Sequence, residues 1–217
     1  MRRADALREA DRRQRPPPLG AALFLASGAA LLTYILSGIS LQLTLAAAGL
    51  LAVAGGAALW RRATAVQQAA WRRTVTAGLL AGVAATAAYD LSRYLLVEVA
   101  GLGFSPFDVF GLFGRALTGA GHASAWVTAA GAGFHVVNGV GFGIAYTLWV
   151  GRRGPVAGIA FAMVLETIMV SVYPGWLGLK ALDEFVPVSL VGHLCYGCVL
   201  GYAARQLLVR RLDSATV

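Results

Sequence analysis

Six apolar runs divide this chain, at roughly 19–38, 40–60, 74–100, 124–150, 155–174 and 187–208. A helix needs about 20 such residues to cross the hydrocarbon core of a bilayer. None of the runs alternates apolar and polar residues as a barrel strand would. In lipid every backbone polar group must be satisfied within the protein, so uninterrupted runs of this length read as helices. The composition agrees, with 58% hydrophobic and 13% charged residues and a mean hydropathy of +0.69, outside the range of soluble domains. The chain reads as an all-α, polytopic integral membrane protein with six transmembrane helices, its partner the lipid bilayer.

Charge orders these spans across the membrane. Arg2, Arg3, Arg8, Arg12, Arg13 and Arg15 precede span one; Arg61, Arg62, Arg72 and Arg73 join spans two and three; Arg152 and Arg153 join spans four and five; Arg205, Arg210 and Arg211 close the chain. Only Arg115 and Lys180 fall on the other side, and Arg93 inside a span. The positive-inside rule then places both termini in the cytoplasm, and the protein is expected in the cell (inner or plasma) membrane. Trp60, Trp71 and Trp149 fall at the inner boundary and Trp126 and Trp176 at the outer one, as an interfacial belt. The net charge of +8 is thus a topology signal, and no basic folded module for nucleic acid is present. The chain divides into a basic arm (1–18), an apolar hairpin (19–60), a four-helix core (74–208) and a tail (209–217). The first run is long enough to span and reads as a retained helix rather than a cleaved signal.

The spans differ in content. Spans one and two carry no charge between Leu19 and Trp60, and have small-residue stretches at Ala46–Gly49 and Ala54–Ala58. They read as scaffold, or as the contact surface for a second copy or a larger membrane complex. Spans three to six hold the intramembrane charge. There, two stretches share one pattern: His135-x3-Gly139-x3-Gly143 and His193-x3-Gly197-x3-Gly201. Each follows a span with an acid placed alike, Ala81-Gly82-x7-Asp90 and Ala157-Gly158-x7-Glu166. The pattern points to a parallel duplication, hairpin 3–4 repeated as hairpin 5–6.

Depth decides which residues can meet. At 1.5 Å per residue, Asp90 lies roughly 25 Å from Arg73 and His135 roughly 25 Å from Arg152. Glu166 lies roughly 20 Å from Arg153 and His193 roughly 18 Å from Arg205. Each acid therefore shares a layer with the His of its own hairpin. A charge at the bilayer centre costs on the order of 3 kcal/mol, so such residues face a partner, a cavity or a pathway. Asp90 has a candidate partner in Arg93, three residues on and on the same helix face. Asn138, three residues from His135, can orient its imidazole or act as interhelical glue.

Three chemistries fit Asp90, His135, Glu166 and His193. Acids and histidines along one path bind or conduct a proton, a cation or a small substrate, with Arg93 and Asn138 beside them. Two His and two carboxylates also suit a divalent metal. Alternatively His135 and His193 hold a haem in the grooves formed by Gly139, Gly143, Gly197 and Gly201. The last two make the chain a cofactor-bearing subunit or an enzyme acting on a lipid or quinone. A third reading is an accessory or assembly protein whose polar residues are helix glue.

The remaining features carry less. Cys195-x-x-Cys198 sits inside an apolar helix without a second cysteine pair and reads as packing. The segment Gly101–His122 reads as interfacial or re-entrant. Together with Gly175–Pro187 it caps a cavity near Asp108, Asp183 and Glu184, with His122 a solvated loop residue. Pro174 marks the end of span five.

Overall fold

A computed structural model of the chain describes residues 19–177 and 182–213. The N-terminal arm, Lys180 and residues 214–217 lie outside the described residues, as do the side chains of Asp183, Arg210 and Arg211. Among the described residues the structure is helical without strands: α1 (Leu19–Leu23), α2 (Ala26–Ser37), α3 (Leu41–Arg62), α4 (Ala65–Ala100), α5 (Asp108–Thr118), α6 (Ala125–Trp149), α7 (Pro155–Leu177) and α8 (Leu182–Asp213). Five of these, α3, α4, α6, α7 and α8, are long and apolar enough to cross a membrane. The chain is a multi-pass helical membrane protein.

Span one departs from expectation. A turn at Phe24 and Leu25, whose N–H groups donate to the carbonyls of Ala21 and Ala22, splits it into α1 and α2. The break turns the Phe24 carbonyl toward α6, where a Cβ on Gly141 would lie 2.7 Å from that oxygen. Glycine is what lets a carbonyl come this near another helix.

Other boundaries move for local reasons. Helix α4 begins at Ala65, well before residue 74, because Thr64 and Gln67 form a capping box: Thr64 Oγ1 accepts from the Gln67 N–H and Gln67 Oε1 from the Thr64 N–H. It ends where Gly101 takes a left-handed conformation, φ 62°. Helix α7 continues past Pro174 to Leu177, its last turn held by Trp176 against Phe113 and Tyr34. Helix α8 starts at Leu182 and contains Pro187. The 101–122 segment forms α5, which lies on α6 with Gly114 against the Val127 carbonyl and Gly131 against the Phe110 carbonyl.

Helix α4 packs against both α6 and α8, and α7 against α8. In the α4–α6 pair, Gly143 meets the backbone of Gly82 and the carbonyl of Gly78, while Gly82 meets Val140 and the Gly139 carbonyl. In the α7–α8 pair, Gly158 meets the Gly197 carbonyl and Gly201, while Gly201 meets the Gly154 carbonyl. Gly78, Gly82 and Asp90 have the same spacing as Gly154, Gly158 and Glu166, and the two His-Gly-Gly sets stand opposite them alike. The two hairpins cross through glycines at the same spacing.

The exposed arginines 61, 62, 72, 73, 152, 153 and 205 gather at one end of the bundle, where Arg72 lies 5.6 Å over the Trp60 ring. Trp126 and Trp149 are exposed, as belt residues are. Trp71 and Trp176 are not: Trp71 is buried against Gly20 and Trp60, and Trp176 joins the Tyr34–Phe113 cluster, so both serve packing. Cys195 is half-buried and Cys198 exposed, which removes a packing role from the second. His122, Asp108 and Glu184 are exposed.

Gly49 in α3 and Gly133 in α6 have nothing within 4 Å of a Cβ position. Gly49→Ala and Gly133→Ala are each expected to stabilise the detergent-solubilised protein by up to about 1 kcal/mol through helix propensity. Thermal unfolding measures this, and a drop at either position would reveal a helix packed on that face in the native assembly.

Candidate functional site

Four spans bring the four ionisable residues together as two pairs. Asp90 on α4 places its carboxylate oxygens 3.0 and 3.2 Å from Nε2 of His135 on α6. Glu166 on α7 places Oε2 2.8 Å from Nδ1 of His193 on α8. The heights reckoned along the helices correspond to these pairs. The Glu166–His193 pair is the more buried, with side chains 7% and 12% exposed against 23% and 15% for Asp90 and His135. Ser189, one turn before His193 and fully buried, donates its hydroxyl to Glu166 Oε2 at 2.9 Å. The Ser189 carbonyl is also 3.0 Å from His193 Nδ1.

These contacts assign the imidazole protons. Nε2 of His135 faces two carboxylate oxygens, and Nδ1 of His193 faces a carboxylate and a carbonyl, so each carries a hydrogen. Nδ1 of His135 and Nε2 of His193 have no protein partner among the described residues.

Arg93 does not pair with Asp90. Its Nη2 donates to the Pro106 carbonyl at 3.1 Å, its guanidinium carbon lies 4.8 Å from the centre of the Tyr89 ring, and the residue is 3% exposed. The reason lies on α8: a Cβ on Gly192 would come within 2.8 Å of both the Arg93 stem and the Tyr89 ring, so the glycine makes room for Arg93 on that side of α4. Asn138 does not orient His135 either. Its Nδ2 donates to Phe134 O on its own helix, and its Oδ1 is buried without a partner, as are Arg93 Nε and Glu166 Oε1.

Tyr89 organises the centre. Its ring lies 5.8 Å from His135 and 4.9 Å from His193, centre to centre, so both imidazoles rest on one aromatic side chain. Phe110 of α5 covers His135 at 5.1 Å, and the Tyr196 hydroxyl donates to the Gly139 carbonyl at 2.6 Å. A cavity of about 100 Å³ opens beside them, large enough for several waters or a small organic group. Equivalent positions of the two hairpins border it: His135 and His193, Asn138 and Tyr196, Tyr89 and Leu165, Arg93 and Met169. One copy thus supplies a polar wall on its first helix, the other an apolar wall.

The metal expectation finds no assembled ligand set. Among the described residues no group of three His, Cys, Asp or Glu could hold a metal ion, because each carboxylate is turned to its own His. The haem grooves are filled as well: the faces of Gly139, Gly143, Gly197 and Gly201 meet Thr86, Gly82, Gly158 and Gly154 of the adjoining helices. Tyr89, Ser189, Gly192 and Phe110 were missed from the sequence. Two of them had a signal, since Tyr89 adjoins Asp90 and Ser189 precedes His193 by one helical turn. Residues 72–213, which include both hairpins and every residue of the two pairs, match the model of a family of unknown function (DUF6789). No curated protein and no solved structure matches the chain.

Proposed function

The chain belongs to the family of unknown function DUF6789, and from its central cavity we propose that it binds a small, largely apolar molecule with a polar group and exchanges a proton with it within the membrane. The observation that carries this reading is that two imidazoles, each held by the carboxylate of its own hairpin, border one cavity with their second ring nitrogens free of protein partners. Helical transporters place substrate sites at such repeat interfaces. Binding is favoured over conduction because the glycine crossings and the fully buried Tyr146 and Leu200 fill the bundle on the arginine-bearing side. With that side cytoplasmic, as the positive-inside rule implies, the cavity lies in the opposite half of the membrane under α5.

Trp176 reports on this cavity, since its ring stacks 5.9 Å from Phe113, which borders it. Titrating 12-bromododecanol into the protein in maltoside micelles is expected to quench Trp176 emission saturably, with reversal by excess dodecanol. Trp176→Phe removes the saturable component. Quenching that stays linear and survives this substitution would sink the binding reading.

A further inference from the structure

We propose that the polar group of the bound molecule is a carboxylate, received by Arg93. The inference rests on the binding reading above and adds the chemistry of the head group. A buried guanidinium in a membrane span costs several kcal/mol unless an anion or several acceptors compensate it. Arg93 is 3% exposed, yet among the described residues its guanidinium has one backbone carbonyl as hydrogen-bond acceptor and the face of Tyr89 beside it. Neither neighbouring carboxylate pairs with it: Asp90 is held by His135, and Glu166 through Oε2 by His193 and Ser189, its Oε1 being without a partner. Nε remains an N–H donor without an acceptor.

The arginine is held in place rather than free to reach for the interface. Its Cγ and Cδ pack where Gly192 leaves space, beside the Tyr89 ring, and Pro106 fixes Nη2. Arg93 lines the cavity, and a carboxylate bound there can accept from its guanidinium N–H groups, two oxygens matching two donors. A more highly charged head fits poorly, because one guanidinium cannot compensate a phosphate dianion beside two carboxylates in apolar surroundings. The opposite wall, with Leu165 and Met169 at the places equivalent to Tyr89 and Arg93, suits an apolar body.

The test compares head groups on one chain length. At alkaline pH, with micelle partition corrected, 12-bromododecanoate is expected to quench Trp176 at concentrations roughly tenfold or more below those of 12-bromododecanol, the difference typical of a charge-assisted hydrogen bond. Arg93→Gln is expected to bring the ratio of the two affinities to about one, and Arg93→Lys to keep it above one. The same comparison between 4-bromobenzoate and 4-bromobenzyl alcohol identifies the source. Preference for the acid in the dodecyl pair alone supports a lipid-phase acid, and in the benzyl pair a water-borne one. Equal binding of acid and alcohol by the unmodified protein in both pairs overturns the carboxylate inference and leaves the cavity reading standing. Absence of binding by all four probes overturns both.

Discussion

Gly158→Val is expected to leave little folded protein, and Gly82→Val to act similarly. At Gly158 an added Cβ meets the Gly197 carbonyl and the Gly201 backbone, and at Gly82 it meets Val140 Cα and carbonyl at 2.9 and 3.1 Å. These obstacles are backbone atoms of a neighbouring helix, which no rotamer change can clear. Overpacking in cores typically costs 1–3 kcal/mol, and here the helices must separate, so about 3 kcal/mol or more is expected for each. Helix association in lipid depends on such close approach, since lipid tails solvate apolar side chains as well as a partner helix does. Size-exclusion profiles and melting curves of the extracted variants measure the effect. A Gly158→Val protein that melts like the unmodified one would mean that α7 and α8 do not cross at these glycines.

His193→Ala is expected to cost about 3–5 kcal/mol, because it strands the carboxylate of Glu166, which is 5% exposed and left with one Ser189 hydroxyl. Removing both partners should recover part of that loss. A double-mutant cycle over Glu166 and His193 is therefore expected to give a larger coupling than one over Asp90 and His135, whose side chains keep more exposure. Chemical or thermal unfolding in one detergent supplies the four stabilities of each cycle. Equal couplings, or a larger one at Asp90–His135, would contradict the burial order of the pairs.

Hydropathy and periodic spacing carry what the sequence makes legible here. The apolar runs mark the membrane helices, and counting residues from the arginines places Asp90 level with His135 and Glu166 level with His193. Rotation about each helix axis is what counting leaves out. Asp90 and Arg93 share a helix face within reach of each other, so a local pairing was the natural expectation. The structure resolves it otherwise, because Gly192 on α8 opens space for Arg93 and His135 on α6 offers Asp90 a partner. The same gap explains the glycines: a small-residue stripe indicates a groove, and only the neighbouring helix shows that another backbone fills it. The split of span one at Phe24 has no proline or charge to announce it, and depends on Gly141 of a helix more than a hundred residues away.

The unequal walls of the duplicated core have a consequence for whatever enters it. Two identical halves would offer an occupant two equivalent poses, related by half a turn and equally populated. With Tyr89 and Arg93 facing Leu165 and Met169, that degeneracy is lifted. The cavity is lined by the charged Arg93 on the α4 side and by apolar side chains on the α7 side. A guest bound as proposed is therefore expected to adopt a single sense, with the two imidazoles addressing chemically different ends of it.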